Sequence, residues 1–222
     1  MVDVAADVER VLPRTRALGS ATLAVVRDAV PPGEVVILNG ATSAGKTTLA
    51  VALQAQLAAD GECWLVWGID DFLGKLPVAW LAYGDEGVHA DDGVRFDRVD
   101  GGIAFRTGPV GDRLLASYRG TIAAMARNGL NLIVDEVVLD EAAWLDWVQC
   151  LEALPVLWVR VDCPVEVLEA REQERGDRLP GLARSQVATV HRHPAYDLVV
   201  DTATTDATGC AARVAAAVRA RR

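Results

Sequence analysis

The stretch Val35-Val36-Ile37-Leu38-Asn39-Gly40-Ala41-Thr42-Ser43-Ala44-Gly45-Lys46-Thr47-Thr48 decides the fold. From Gly40 to Thr47 it fits G-x-x-x-x-G-K-[ST] at every fixed position. The apolar run before it reads as a buried strand and residues 48–57 as a helix, the setting a phosphate-binding loop requires. Glycines let the backbone turn so that its N–H groups point at phosphate oxygens, and the helix N-terminus adds partial positive charge. Gly40, Ala41, Thr42, Ser43, Ala44, Gly45, Lys46, Thr47 and Thr48 therefore form the expected nucleotide cradle. Lys46 is placed to reach the β/γ-phosphates, and the Thr47 hydroxyl to ligate Mg²⁺. A glycine-rich turn matching by chance would need neither flanking element. The chain reads as a nucleoside triphosphate binder.

Composition agrees. Of the 22 basic residues only Lys46 and Lys75 are lysines. One of the two thus stands where a compact point charge is needed rather than a planar fork. A length of 222 residues with 51% hydrophobic content predicts one α/β domain with a sizeable core. The net charge of −9 argues against nucleic acid as the main partner, which would require a basic face. Cys63, Cys150, Cys163 and Cys210 lack C-x-x-C spacing, and the first three lie in apolar stretches, so they read as buried thiols rather than zinc ligands. Asp3, Asp7 and Glu9 are unlike a secretory signal, and no apolar run reaches membrane-spanning length. The expectation is a cytoplasmic protein with no membrane partner.

Residues 1–33 read as a separate helical extension. Val4, Val8, Val11 and Leu12 recur at helical spacing, Pro13 interrupts, and an apolar helix over 18–30 closes at Pro31-Pro32-Gly33. It either packs on the core or serves dimerisation or substrate capping, which leaves a homo-oligomer open. From 34 to 222 strands and helices alternate, with strands expected near 35–38, 63–68, 131–134, 155–161 and 198–200. That alternation predicts a five-stranded parallel sheet with helices on both faces. A helix over 112–127 stops at Asn128-Gly129. The glycine-rich stretch 84–111 reads as an irregular insert with a hairpin turning at Val99-Asp100-Gly101, better suited to covering a substrate than to decoration.

Ligands of an open α/β sheet sit beyond the carboxyl ends of its strands. The second strand delivers Asp70 and Asp71 to that edge, and the third delivers Asp135 and Glu136. Asp70 is placed to accept the proton of an acceptor hydroxyl in line with the γ-phosphate, with Asp71 as the helix cap; a carboxylate after the third strand, Asp135, suits Mg²⁺. Arg171, Arg175 and Arg178 follow the fourth strand around Gly176, in a segment read as a lid over about 171–182. Arg175 and Arg178 there can neutralise the transferring phosphoryl group, whereas Arg171 also suits a solvated face. His191 and His193, two apart, would not share a helix face as a metal pair.

Further segments carry a resemblance. They are Ile37-Leu38-Asn39-Gly40 leading into Ser43-Ala44-Gly45-Lys46, Trp67-Gly68-Ile69-Asp70, Phe96-Asp97, Asp100-Gly101-Gly102, Gly108-Pro109, Ile133-Val134-Asp135-Glu136, Leu157-Trp158-Val159, Arg175-Gly176-Asp177-Arg178, Tyr196-Asp197 and Val200-Asp201-Thr202. In order and spacing the chain is similar to the chloramphenicol phosphotransferase family, small P-loop kinases that resemble shikimate and nucleoside-monophosphate kinases. The resemblance implies an ATP- and Mg²⁺-dependent transfer of phosphate to a hydroxyl of a small molecule, an antibiotic such as chloramphenicol, with Asp70 as general base. The chain departs at Glu136, where the family has aspartate, and at Trp67, where it has phenylalanine. No arginine lies between Asp70 and Gly93, while Phe72, Leu73, Leu76, Trp80, Leu81 and Tyr83 do, with Trp67 just before them. Trp67, Phe72 and Trp80 with Asp70 are therefore expected to seat a neutral, partly aromatic alcohol. Arg95, Arg98 or Arg106 could instead meet an anion. A nucleotide-hydrolysing switch without an acceptor is the alternative from another class.

Overall fold

Each side chain of β1 (Val35–Asn39) is buried, because the strand is apolar on both faces and covered on both. The chain continues through α1 (Lys46–Ala59), β2 (Trp64–Gly68), α2 (Ile69–Leu73), β3 (Leu81–Tyr83), β4 (Val94–Val99), β5 (Gly102–Thr107) and α3 (Pro109–Arg127). It then forms β6 (Asn131–Glu136), α4 (Glu141–Cys150), β7 (Val156–Asp162), α5 (Val165–Arg175), α6 (Leu182–Val187), β8 (Leu198–Asp201) and α7 (Ala207–Ala220). The structure, a computed structural model, describes residues 30–84, 86–100, 102–175 and 179–222. The helices expected over 1–30 fall almost wholly outside the described residues, as does Arg178.

A five-stranded parallel sheet runs in the order β2-β6-β1-β7-β8. Leu49, Leu53 and Leu57 of α1 and Val214 and Val218 of α7 pack with Val36 and Leu38 on one face. Tyr118 and Ile122 of α3 and Trp147 of α4 pack with Val35 and Ile37 on the other. Burying one such leucine contributes roughly 2 kcal/mol. The register sets Asn39 opposite Glu136 and Gly68 opposite Asp135, so β1, β2 and β6 end along one edge. Asp140 caps α4 through the Ala143 N–H at 2.8 Å, and Asp206 caps α7 through Gly209 at 2.7 Å. Beyond α7, Arg222 donates to Glu34 at 2.7 Å and to both oxygens of Glu62 at 2.8 and 2.5 Å. These bonds from Arg222 hold the Glu62 carboxyl down at about 2.

Residues 84–111 depart from the irregular insert expected. They complete a second sheet, β3-β4-β5, in which β4 and β5 form the hairpin and β3 adds in parallel. Alternation of Val94 with Phe96 and of Ile103 with Phe105 gives this sheet its own small core with Leu73, Leu115 and Leu182. The helix expected from 112 begins at Pro109, whose fixed φ suits a first turn. Cys63 is exposed just before β2, against the buried position expected, and Cys150 is half-buried; Cys163 and Cys210 lie in the core. Among the described residues no helix is long and apolar enough to cross a membrane.

Candidate active site

The phosphate loop turns into α1 at Gly45, whose φ of 83° favours glycine. Lys46 is 6% exposed. Its Nζ donates to the Ala41 carbonyl at 2.9 Å and stands 3.5 Å from Asp135 Oδ1. Thr47 Oγ1 donates to Asp135 Oδ2 at 2.6 Å. The end of β1 is fixed by Asn39, whose amide donates to the Val190 carbonyl at 2.8 Å and to the Tyr196 hydroxyl at 2.6 Å, and accepts from Val138 N–H at 2.8 Å. The Thr42 N–H donates to the Gln186 side chain at 2.7 Å.

Asp135 and Glu136, grouped in the sequence as a pair delivered to one edge, part company. Both lie inside β6, where successive side chains take opposite faces. Asp135 meets α1 at Lys46 and Thr47. Glu136 points to the α3–α4 side, where it accepts from the Trp147 indole at 3.0 Å and from Val137 N–H at 2.7 Å. Burial raises its pKa, so Glu136 belongs to the core behind the site.

At the end of β2, Asp71 accepts the Gly68 N–H at 2.8 Å and so closes the first turn of α2. That leaves Asp70 exposed at the cavity wall. The cavity encloses about 430 Å³. Thr42, Ser43, Gly45, Lys46, Thr47, Thr48 and Asp135 line it together with Asp70 and Arg175, and Ile69, Leu73, Tyr83, Phe96, Phe105, Leu179 and Leu182 supply an apolar wall. Three expected substrate residues are not part of that lining. Trp67 points to the core face, its ring 5.9 Å from Phe72, which lies 4.8 Å from Tyr118. Trp80 packs on His89 at 5.0 Å. The wall is built instead by the second sheet, where Phe96 stands opposite Phe105 and stacks on Tyr83 with centroids 5.0 Å apart. Apolar alternation in both strands is the signal for the pairing of Phe96 with Phe105, and Tyr83 belongs to the aromatic set that the sequence offers for stacking a ring. Arg95 is bonded to Asp97 and Asp91 at 3.2 Å each, and Arg106 faces Asp97 at 3.7 Å. Neither they nor Arg98 line the cavity.

Arg175 lines this cavity and a second one of about 360 Å³, which adjoins Gly45 and Thr48 and is bounded by Arg171, Thr202, Thr205 and Ala207. Arg171 does not take the solvated position open to it: it donates to the Thr202 carbonyl at 2.8 Å and hydroxyl at 3.2 Å. His191 Nδ1 lies 2.8 Å from the Tyr196 hydroxyl, and burial pushes its pKa down to about 4 and that of Tyr196 up to about 12. The Tyr196 hydroxyl thus accepts from Asn39 and lies within hydrogen-bonding distance of both His191 and the Val190 carbonyl.

Comparison with known proteins matches this arrangement to other chains. Residues 33–219 match the family model described as chloramphenicol phosphotransferase-like protein. Two Mycobacterium tuberculosis proteins, provisionally named O-phosphotransferases, are each 36% identical over 179 residues, covering 79% of this chain and 78% of theirs. Among solved structures, the APS kinase of Mycobacterium tuberculosis in complex with AMPPNP and APS superposes with a TM-score of 0.59 at 15% identity, over 85% of this chain and 99% of that one. A sugar kinase from a Janibacter species gives 0.58 at 22% identity, covering 85% and 95%. Shikimate kinase from Acinetobacter baumannii gives 0.55 at 16%, covering 87% and 96%. At such identities the structures speak for the fold alone, which is that of the P-loop kinases. By its phosphate loop, its strand order and the family match over nearly its whole length, the chain belongs to the chloramphenicol phosphotransferase-like family.

Proposed function

We propose that the protein is an ATP- and Mg²⁺-dependent O-phosphotransferase that phosphorylates a hydroxyl of a neutral, ring-bearing small molecule. An antibiotic such as chloramphenicol is the first acceptor to try. One observation carries the reading: a single cavity is lined by the phosphate loop, by Asp70 and by the Tyr83–Phe96–Phe105 wall. A nucleotide switch needs the first of these and has no use for the other two. The bonded state of Arg95 and Arg106 and their place off the cavity favour a neutral acceptor over an anionic one. The second cavity, beside Gly45 and Thr48, suits the nucleotide base and ribose.

In this scheme Asp70 takes the acceptor's hydroxyl proton as its oxygen attacks the γ-phosphorus, and the bond to the β-phosphate oxygen breaks to release ADP. Lys46 and Arg175 neutralise charge that grows on the transferring group. The aromatic wall orients the ring so that the hydroxyl faces the phosphate, and Leu179 and Leu182 help keep water out. Thr47 and Asp135 fit a hard cation, since their oxygens already meet at 2.6 Å. Among the described residues no three acidic, histidine or cysteine side chains converge to hold a metal unaided. That suits Mg²⁺, which is held by one or two protein oxygens together with phosphates and water, and which when bound offsets phosphate charge.

The test is a panel of hydroxylated compounds assayed for stimulated ADP release and for the mass of the phosphorylated product. Neutral aromatic alcohols should stimulate. Release that no acceptor accelerates would favour the switch, and stimulation by shikimate or a nucleoside monophosphate alone would overturn the acceptor class.

A further inference from the structure

The helix α6 is only six residues long, yet two consecutive side chains on it bind two separate parts of the molecule. Ser185 Oγ accepts the Ile103 N–H at 2.7 Å, at the start of β5. Its own proton goes to the Gly181 carbonyl at 2.7 Å, which leaves the oxygen's lone pairs for Ile103. Gln186 Oε1 accepts the Thr42 N–H at 2.7 Å, within the phosphate loop. Gln186 is 6% exposed and Thr42 8%, so this bond is sheltered from water. Ser185 can approach only because residue 102 is glycine: a Cβ there would stand 2.1 Å from Ser185 Oγ. The start of α6 is fixed as well. Glu172 of α5, 4% exposed, accepts the Gly181 N–H at 2.6 Å and the Ala183 N–H at 2.9 Å. Leu182, one residue on from Gly181, is itself part of the cavity wall.

We propose that Gln186 and Ser185 are positioning residues for phosphoryl transfer, and that α6 couples the seat of the nucleotide phosphates to the wall that seats the acceptor. The inference rests on the kinase reading above and deepens it. Gln186 borders the cavity, but its side-chain oxygen is committed to the Thr42 N–H as that of Ser185 is to the Ile103 N–H, so both act through backbone N–H groups of the elements that form the site. In-line transfer requires the two substrates at a fixed separation and angle, and small misplacement costs turnover more than it costs binding. The loop and the hairpin are far apart in sequence and are not neighbours in either sheet. The six-residue helix supplies a direct mechanical link between them. Binding of a nucleotide that fits the loop with its Thr42–Gln186 bond made would favour the docked position of α6, and hence the hairpin position with the Ser185–Ile103 bond made.

Gln186→Met keeps the length of the side chain and removes the acceptor, leaving the Thr42 N–H sheltered and unpaired. From the usual cost of such a group, kcat should fall by about 10- to 100-fold, with KM for ATP and for the acceptor within about threefold of wild type. Ser185→Ala should behave alike, and the double variant should lose little more than the worse single one, because both act through one helix. A lowered melting temperature with kcat unchanged would mark the residues as merely structural and overturn the proposal. Hydrogen exchange gives a readout independent of any acceptor. AMPPNP should slow exchange at the Ile103 amide in the wild type and fail to do so in Gln186→Met. Should the wild type phosphorylate no compound at all, the kinase reading fails, and the exchange result still decides the coupling. An Ile103 rate unmoved by AMPPNP in the wild type, or slowed equally in the variant, overturns it.

Discussion

Thr47 donates its hydroxyl proton to Asp135 Oδ2 across 2.6 Å, joining the last fixed position of the loop motif to the end of β6. Asp70 stands on another element, the first turn of α2, with its neighbour Asp71 occupied as the cap. Separate placement predicts separate phenotypes. Asp70→Asn should lower turnover by a factor of about 10² to 10⁴, as for other general bases, with AMPPNP affinity nearly unchanged. Asp135→Asn should raise the Mg²⁺ concentration needed for half-maximal turnover and weaken Mg²⁺-dependent AMPPNP binding. Calorimetry showing the reverse pattern would exchange the two roles.

Lys46→Ala should reduce phosphoryl transfer by at least about 100-fold, the usual cost of losing one group that stabilises transition-state charge. The far-ultraviolet circular dichroism should stay unchanged, since the lysine's ammonium meets the Ala41 carbonyl and the Asp135 carboxylate and packs no core side chain through that end. Turnover within a few-fold of wild type in a folded variant would remove the loop from the mechanism.

Arg175 ends α5 and borders both cavities. Arg175→Ala should lower kcat more than it weakens AMPPNP binding, and Arg178→Ala should do the same if the segment closes as a lid. Limited proteolysis within 171–182 should slow when AMPPNP is added. Cleavage at the same rate with and without the analogue would count against closure.

Phe105→Ala should raise KM for a ring-bearing acceptor several-fold, by removing one face of the wall. Trp67→Phe should leave that KM within about twofold and lower the melting temperature instead, because the half-buried indole packs against Phe72 on the core side of β2. Acceptor KM values for the two variants, measured side by side, distinguish the wall from the position that the sequence suggested.

How far the site could be read beforehand depends on the range of the interaction that builds it. The cradle from Gly40 to Thr48 is local: the chemistry of one loop fixes it, and the strand and helix beside it are legible as apolar runs. Asp70 follows from the rule that a parallel strand delivers its next residue to the ligand edge. Trp67 was harder, because β2 is apolar on both faces, with Trp64 and Val66 on one side and Leu65 and Trp67 on the other. Periodicity cannot choose between two apolar faces. Glu136 turned away from the site for the converse reason, a strand that runs on through both acidic residues where its end was expected at Val134. Gln186 and Ser185 carry no motif at all; their partners Thr42 and Ile103 are brought to them by tertiary structure alone.

His191 predicts the acid limb of stability. Its folded pKa of about 4 lies below the ordinary 6.5 because burial, with the charge of Arg160, disfavours the imidazolium. The unfolded chain therefore takes up this proton first as pH falls. Stability drops between about pH 6.5 and 4 and is independent of this group above that window. In His191→Gln the melting temperature should fall less steeply between pH 6.5 and 4 than in the wild type. Parallel slopes would place the acid sensitivity elsewhere.

The strand that carries the phosphate loop lies third of five, with β6 on one side and β7 on the other. This order has a consequence for synthesis on the ribosome. β1 is made early, yet both of its hydrogen-bonding edges wait for strands that emerge after α3 and after α4. Until then Val35-Val36-Ile37-Leu38 is an apolar segment with two bare edges, the kind that pairs with strangers. A nascent chain halted before Asn131 should therefore be captured by chaperones or precipitate, whereas one extended past Asp162 has both partners for the central strand.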